Sequence, residues 1–360
     1  MTFQSPSPMA GKSVVLLINR DEGGGVEYLA KVLSSELQQQ GARCSTRFIY
    51  PDGNYSTTSK MRRVITKIGM VRATKPDVLI TFQPTASAVA AVAGKVSGCQ
   101  MLIVHQSNSP VKSHPVVRVI DKLLGSIGAY SVTIANSRAT LHEFEHYPKS
   151  YKDRITLIEH GIPPPQYALS RADICAKFGL PTDAPLLLMA ARLDNQKGQN
   201  LAVAALAKLP NAHLVMAGSG PEKYNLTALG WETGVLDRMH FLGHVERQDL
   251  MDLYRASTLF VFPSTWETFG LAAVEAAMTG LPIVSSDIPA LREVLTIDGM
   301  TTTQFVESRN ADVWAKAISA CLNDASLRSR CEQFAEIIQD KYSERRMMQG
   351  YNALYAELMQ

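Results

Sequence analysis

The chain has 360 residues, long enough for two domains, and its composition, 46% hydrophobic and 19% charged, is typical of a soluble globular protein. Its five cysteines are scattered without C-x-x-C spacing, which argues against a structural zinc site or disulfide framework and for a reducing compartment. The net charge is +3, but residues 1–165 carry +8 and residues 166–360 carry −5, so either the first half meets an anionic surface or substrate or the imbalance is random.

Short apolar segments alternate with helical stretches along the first half of the chain. An amphipathic helix is predicted from about Val26 to Gln40, after the glycine-rich segment EGGG. A proline-rich hinge, GIPPP, follows at Gly161 to Pro165. The strands predicted before it are SVVLLIN, ARCSTRFIY, PDVLITF, QMLIVH and SVTIAN.

The same alternation restarts after the hinge, with strands predicted at APLLLMAA, HLVMAG, MHFLG, TLFVFPS and LPIVSS. Short apolar strands separated by helices indicate parallel sheets covered on both faces. We therefore expect two doubly wound, Rossmann-like α/β domains, residues 1–165 and 166–342, facing each other across a cleft. The last segment, residues 343–360, is predicted to form a helix that crosses back and completes the first domain.

Several common motifs are ruled out. The GKS at Gly11 to Ser13 lacks the upstream glycine of a P-loop and precedes its strand. The GSG at Gly218 to Gly220 follows a strand, but Lys223 stands where a dinucleotide fingerprint needs a third glycine. The sequence also contains no G-x-S-x-G nucleophile elbow and no D-x-D metal clamp.

Two glutamates, Glu267 and Glu275, flank the start of an apolar helix in the segment STWETFGLAAVEAAMTGL. A lone carboxylate in such a helix is costly to bury without a hydrogen-bonding partner, and a ligand hydroxyl would serve. The backbone N–H groups of Phe269, Gly270 and Leu271 would form an anion site at the helix start. Together these features indicate a nucleotide-sugar pocket. The alternative is that Glu275 pairs with a core arginine and Glu267 is a solvated loop charge.

Four segments of the second half resemble, in order and spacing, the motifs of the retaining glycosyltransferases of family four, including the bacterial enzymes of polysaccharide and lipopolysaccharide synthesis. They are ARLDNQKG, LVMAGSGPE, FLGHV and ETFGLAAVE. In the first half, EGGGVEYLAKVLSSEL is similar to the family's glycine loop and first helix. The resemblance implies the GT-B fold, a nucleotide diphosphate sugar as donor substrate, and no cofactor or metal.

The resemblance also implies roles for individual residues on the donor side. Arg192 and Lys197 would hold the diphosphate together with the helix start at Phe269, Gly270 and Leu271. Glu275 would bind the ribose hydroxyls, and Glu267 would contact the donor sugar without acting as a nucleophile. Backbone groups around His244 and Val245 would contact the base.

In the first half, His105 follows an apolar strand and matches a histidine that lines the family's reaction centre; the alternative is a structural histidine. Gly24 and Gly25 would let the backbone approach the phosphates and the acceptor, unless they form a simple turn. Asn136 and Arg138 are weaker candidates at another strand end. His160 departs from the family pattern, in which many relatives have asparagine before the glycine.

A basic segment lies between Lys60 and Lys75, where six Lys or Arg residues interleave with apolar residues and no acid occurs. This pattern predicts an amphipathic helix that contacts an anionic membrane, or else an ordinary solvated helix face. With no apolar run of membrane-spanning length, we expect a cytoplasmic protein, with peripheral contact to the inner face of the membrane as a hypothesis.

The function expected from these features is metal-independent, retaining transfer of a hexose-type sugar to a hydroxyl of a glycan or lipid-linked acceptor, by front-face substitution. Cell-envelope or exopolysaccharide synthesis is the expected setting, and no nucleic-acid partner is expected. Two alternatives stay open at this point. One is a nucleotide-sugar epimerase of the same fold, and the other is a binding protein that has lost activity.

Overall fold

The computed structural model describes residues 7–20, 25–50 and 56–359 and divides the chain into two compact units. Unit 1 comprises Met1–Gly161 and Glu344–Gln360, and unit 2 comprises Ile162–Ser343. The boundary between the units therefore lies between Gly161 and Ile162, the first two residues of the proline-rich segment GIPPP. Each unit is built on its own six-stranded parallel sheet.

The sheet of unit 1 has the strand order β2-β1-β3-β4-β5-β6. Its strands are β1 (Ser13–Arg20), β2 (Arg43–Tyr50), β3 (Val78–Thr81), β4 (Met101–Gln106), β5 (Val132–Ala135) and β6 (Ile155–Leu157). Side chains of β1 alternate between two cores, with Leu16 and Ile18 on one face and Val15 and Leu17 on the other. This explains why the segment is apolar throughout, since a parallel sheet is covered on both faces.

Helices cover both faces of this sheet. They are α1 (Gly25–Gln39), α2 (Thr57–Thr74), α3 (Pro84–Ser97), α4 (Pro115–Ser126), α5 (Arg138–His142), α6 (Lys149–Lys152) and the last helix of the chain, α15 (Glu344–Leu358). Residues of α1 and α15 fill one core, and residues of α2 and α3 fill the other. Buried Met347, Tyr351 and Tyr355 attach α15 to the first of these cores.

The sheet of unit 2 has the strand order β12-β11-β10-β7-β8-β9. Its strands are β7 (Leu186–Ala190), β8 (His213–Ala217), β9 (Met239–Gly243), β10 (Leu259–Phe262), β11 (Ile283–Ser286) and β12 (Gln304–Val306). Its helices are α7 (Arg171–Phe178), α8 (Gln199–Leu206), α9 (Lys223–Glu232), α10 (Arg247–Ala256), α11 (Leu271–Met278), α12 (Pro289–Val294), α13 (Ala311–Asn323) and α14 (Leu327–Lys341). One core contains residues of α7, α10, α11, α12 and α14, and the other contains residues of α8, α9 and α13.

The predicted fold class is confirmed: the chain is an α/β protein with two doubly wound, Rossmann-like halves. All ten strands predicted from apolar segments form in the structure. The two strands that the sequence did not indicate, β6 and β12, have three residues each and lie at the edges of their sheets. Among the described residues, no helix combines the length and the hydropathy needed to cross a membrane.

Candidate functional site

The candidate site of unit 2 lies at the point where the order of its strands reverses. The chain passes from β7 to β8 and β9 on one side of β7, and then returns to β10 on the other side. The loops after β7 and β10 therefore leave the sheet side by side at its carboxyl edge. In open α/β sheets such a switch point is where ligands bind. Lys197 lies on the first of these loops, and Glu267 lies on the second.

Lys197 and Glu267 form a close ion pair, with Nζ 2.6 Å from Oε1. Their side chains are only 20% and 9% exposed, so Glu267 is not the solvated loop charge that was the alternative expectation. The Lys197 ammonium also lies 5.7 Å from the centre of the Phe262 ring, at the end of β10. A lysine held by an acid and an aromatic face is preorganised, and its position relative to the loop ends is fixed.

Further hydrogen bonds join the two loops. The backbone N–H and the hydroxyl of Thr265 donate to the carbonyl of Gln196, at 2.8 and 3.1 Å. The Gln196 side chain donates in turn to the carbonyl of Trp266, at 2.9 Å. The 3₁₀ turn at Asn195–Lys197, capped by Asp194, is thereby fastened to the segment that carries Glu267.

The N-terminus of α11 lies next to this ion pair. Its capping residue, Gly270, has φ of 87°, a conformation that strongly favours glycine. A Cβ atom there would lie 2.4 Å from Leu291 and 3.9 Å from Cγ of Glu267, which shows how closely the helix start and Glu267 approach. Phe269 is buried, with its ring edge-on to Tyr342, and Leu271 is the first helical residue. The helix start formed by Phe269, Gly270 and Leu271, which was predicted to bind the donor substrate, therefore lies close to Lys197 and Glu267.

Glu275 is almost buried on α11 and is held by two side chains from α10. Arg247 Nη1 lies 2.6 Å from its Oε1, and the Tyr254 hydroxyl donates to Oε2 at 3.4 Å. Burial, with the charge of Glu275 as a second cause, raises the pKa of Tyr254 well above its ordinary value, so this hydroxyl is a neutral donor. The alternative expectation of an arginine partner for Glu275 is thus met, although Arg247 is part-exposed and not a core residue.

Sequence reasoning missed Arg247 and Tyr254. A signal was present, because Arg247 begins a helix two residues after Val245, in the segment predicted to contact the base. The predicted contacts in that segment, His244 and Val245, follow β9. His244 is exposed, and Val245 packs partly against the core of unit 2.

Arg192 lies farther out on the loop after β7. Its Nη2 is 2.7 Å from Oδ2 of Asp194, and its side chain is more than half exposed. Its carbonyl accepts a hydrogen bond from the side chain of Gln199, a buried residue at the start of α8. The backbone at Arg192 is therefore fixed, while its guanidinium group lies at the surface.

In unit 1, His105 is enclosed at the end of β4. Its ring stacks on Phe82, with centroids 4.6 Å apart, and lies within 3.1 Å of the Tyr351 hydroxyl on α15. Burial, with the nearby His160 as a second cause, lowers the pKa of His105 to about 3. The structure thus gives His105 the partners of a structural histidine, while its assignment to the reaction centre stays a prediction.

His160 and Asn136 form a second buried pair in unit 1. Asn136 Nδ2 lies 3.1 Å from His160 Nε2, and the Thr140 hydroxyl donates to Asn136 Oδ1 at 3.1 Å. Burial lowers the pKa of His160 to about 4. Arg138, by contrast, is the exposed first residue of α5.

These two histidines predict a loss of stability in acid. Because their folded pKa values of about 3 and 4 lie below the ordinary 6.5, the unfolded chain takes up protons that the folded chain does not. Their stabilising effect is complete above pH 6.5 and is lost as the pH falls, towards about 4 for His160 and about 3 for His105. For His160→Asn we expect the stability difference between pH 7 and pH 4.5, measured by urea unfolding, to shrink by about 2–3 kcal/mol.

Exposed His146 provides the matched control for this prediction, because it lies at the surface of the same unit. The pH dependence of His160→Asn is therefore compared with that of His146→Asn, which also removes one imidazole. Equal pH dependences for His160→Asn and the unchanged chain would show that His160 is not the group that titrates.

The glycine-rich segment before α1 is described only in part. Gly25 is the first residue of α1, whereas Gly24 lies outside the described residues. Among the residues that the structure describes, no cluster of three or more His, Cys, Asp or Glu side chains could hold a metal ion.

Comparison with known proteins shows a similarity to glycosyltransferases, concentrated in unit 2. Residues 170–337 match the model of the family described as glycosyl transferases group 1. A D-inositol 3-phosphate glycosyltransferase of Xylanimonas cellulosilytica is 32% identical over 216 residues, which make up 57% of this chain and 51% of that protein. The chain thus spans about half the length of the curated relatives that it matches.

Solved structures match nearly the whole chain at lower identity. An Anabaena protein, HepE, whose crystal contains UDP and glucose, has a TM-score of 0.80 at 19% identity, covering 96% of this chain and 100% of that one. A sucrose-phosphate synthase of Thermosynechococcus elongatus has a TM-score of 0.82 at 19% identity, covering 96% and 99%. At 19% identity, this structural similarity is evidence for the fold alone. Residues 170–337 are therefore similar in sequence to the glycosyl transferases group 1 family, and the fold of the chain is GT-B.

Proposed function

We propose that the chain is a retaining, metal-independent hexosyltransferase that moves a sugar from a nucleoside diphosphate sugar to a hydroxyl of a glycan or glycolipid. Cell-envelope or exopolysaccharide synthesis is the setting that we propose. The observation that carries this proposal is the Lys197–Glu267 pair beside the N-terminus of α11, at the switch point of the sheet of unit 2. A fixed cation, a helix N-terminus and a carboxylate suit a diphosphate joined to a polyhydroxylated sugar.

The leaving group explains why the cation is needed. When the glycosidic bond breaks, negative charge develops on the departing diphosphate. Lys197 and the N–H groups at the start of α11 would stabilise this charge, and Arg192 would reach it from the surface of the loop. Since these groups supply positive charge without a metal, the reaction needs no divalent ion.

Glu267 and Glu275 have different roles in this proposal. Glu267, beside Lys197, would accept hydrogen bonds from donor-sugar hydroxyls remote from the reacting carbon. Glu275 would accept those of the ribose, while the ion pair with Arg247 and the hydrogen bond from the neutral Tyr254 hydroxyl fix its orientation. Backbone groups at His244 and Val245 would contact the base. Neither glutamate acts as a nucleophile, so the acceptor attacks from the face that the phosphate leaves, and the phosphate takes its proton.

Relatives support the choice of a nucleotide-sugar donor. The Anabaena protein with the same fold was crystallised with UDP and glucose, and also with UDP-glucose. Curated relatives from Xylanimonas cellulosilytica and Mycolicibacterium smegmatis are named D-inositol 3-phosphate glycosyltransferases, a name that fits transfer to a hydroxyl-bearing acceptor. We assign unit 2 to the donor and unit 1 to the acceptor, with His105, Gly24 and Gly25 as the predicted contacts on the side of unit 1.

A thermal-shift screen across nucleoside diphosphates and their sugars tests the donor site. A ligand at 100 times its dissociation constant should stabilise the folded chain by about 2.7 kcal/mol. We expect at least one of these ligands to raise the melting temperature of the unchanged chain and to have a much smaller effect on Lys197→Ala. If no ligand distinguishes the two proteins, the proposed donor site is wrong.

The donor found in that screen then allows the reaction to be tested. Transfer to an acceptor pool should continue in the presence of EDTA, and NMR of the product should show the anomeric configuration of the donor. Conversion of the donor without any acceptor would instead indicate an epimerase. Binding without conversion on every acceptor tested would indicate an inactive binding protein.

A further inference from the structure

Helix α4 presents its apolar side to solvent. Val116, Val119, Ile120 and Leu123 are between 42% and 64% exposed, and Ile127, just after the helix, is exposed as well. The spacing of these residues places them along one face of the helix. An amphipathic helix of a soluble domain normally turns such a face towards the core, so an outward apolar face requires a cause and a partner.

The orientation of α4 is fixed from its inner side. Asp121 is buried there and accepts hydrogen bonds from the hydroxyls of Tyr130 and Tyr151, each at 3.1 Å. Gly125, one turn later, packs so closely on Tyr151 that a Cβ atom would lie 2.1 Å from the ring. If the helix turned its valines inwards, Asp121 would lose both of its partners, and so the apolar face is held outwards.

Helix α3, which contacts α4, also carries exposed aliphatic side chains. On α3, Val92 and Val96 are both about half exposed. On α2, Val64, Ile68 and Val71 pack against the core of unit 1, and among its described apolar residues Ile65 is the strongly exposed one. The apolar side of the basic helix is therefore directed inwards, and the exposed apolar surface belongs mainly to α4 and α3. We call the surface formed by Val92, Val96, Val116, Val119, Ile120 and Leu123 the valine face.

Positive charge is concentrated in the same layer of helices. Residues 57–127 contain ten Lys or Arg residues and two acids, so their net charge of +8 equals that of the whole first half. Both acids accept hydrogen bonds within unit 1: Asp121 is buried and bonded to two tyrosines, and Asp77 accepts a hydrogen bond from the backbone N–H of Ser13 at 2.7 Å. On α2, burial, followed by the charges of Arg47 and Arg63, lowers the pKa of Lys67.

Acidic residues do appear just beyond this stretch, but they are bound locally. Glu143 accepts the hydroxyl of Ser109 at 2.6 Å, and Glu145 lies 2.6 Å from His142. The layer α2–α4 therefore combines an exposed aliphatic surface with a net positive charge.

We infer that the valine face docks onto an anionic lipid bilayer, with its aliphatic side chains entering the interface and the surrounding Lys and Arg residues contacting the headgroups. A bilayer supplies both the apolar environment and the negative charge that this surface lacks. A second copy of the chain would bring another layer of net charge +8 against the first, which repels it. This inference does not depend on the proposed function, since it concerns a different surface.

Vesicle flotation of the full chain tests the inference. We expect binding to vesicles that contain phosphatidylglycerol, much weaker binding to phosphatidylcholine alone, and a decrease with added salt. Val119→Gln/Leu123→Gln should lower the partition coefficient about tenfold or more, because both side chains are exposed and would enter the interface. Arg62→Glu/Arg63→Glu should lower it less in high salt than in low salt.

A matched control replaces exposed aliphatic residues on helices of unit 2, as Val313→Gln/Ile337→Gln, and should bind vesicles like the unchanged chain. Circular dichroism of all variants establishes that they fold. Equal flotation of the valine-face variant and the control would overturn the inference. It would also be overturned if light scattering showed a dimer that only the valine-face variant loses, because the surface would then be occupied by a second copy.

Discussion

Replacing Lys197 with methionine is expected to lower the rate of sugar transfer by about a hundred- to a thousandfold, which is the usual cost of losing one preorganised group that faces a developing anion. The same change should also destabilise unit 2. It leaves the nearly buried Glu267 without the ammonium that lies 2.6 Å away. Because Lys197 is itself 20% exposed, we expect a loss of about 2–3 kcal/mol and not the larger value of a fully buried pair.

The double variant Lys197→Met/Glu267→Leu separates these two effects. Removing both charges relieves the unpaired carboxylate, so urea unfolding should show most of the lost stability restored. The rate of transfer should stay low, because the cation that stabilises the diphosphate is still missing and the proposed sugar contact of Glu267 is lost as well. Lys177→Met is the control, since Lys177 forms an ion pair of the same length with Asp249 at the surface. Restored transfer in the double variant would mean that Lys197 acts only on stability.

The sequence contained enough information for the layered fold because parallel sheets need nearly continuous apolar strands, and these are visible one segment at a time. Segments such as VLIT and VTIA are buried throughout, as their composition indicates. The edge strands β6 and β12 were missed because three residues are too few to show a pattern. Their formation depends on the neighbouring strands to which they add hydrogen bonds.

The sequence allowed the residues of the candidate site to be placed on particular loops, but it did not show which of these residues contact each other. Lys197 and Glu267 could both be placed at strand ends, yet their ion pair joins residues 70 positions apart. The pair of Arg247 and Glu275 depends on how α10 and α11 pack on their sheet, which periodicity does not determine. Helix α4 shows the same limit, because its sequence defines an apolar face but not the direction in which it points. That direction depends on Asp121 and on two tyrosines from elsewhere in unit 1.

The second large effect is expected from Gly218→Ala, in the GSG loop after β8. Gly218 has φ of 145°, and a Cβ atom there would lie 2.0 Å from the carbonyl oxygen of Ala191. Two backbone hydrogen bonds hold the strands together here, from Ala191 to Ala217 at 3.0 Å and from Gly218 to Gly243 at 2.7 Å. The methyl group therefore meets backbone that cannot easily move. We expect urea unfolding to show a loss of about 3 kcal/mol or more.

Gly234→Ala is the matched control, because Gly234 also has a positive φ, of 68°, but a Cβ atom would meet nothing within 4 Å. Its cost should be about 1 kcal/mol, from backbone conformation alone. Gly218→Ala should also weaken nucleotide binding in the thermal-shift assay, since Ala191 leads directly into the loop of Arg192 and Lys197. The glycines of GSG would then act by letting the donor loop pack against β8, and not by contacting a phosphate themselves. Equal losses of stability for the two variants would contradict this role.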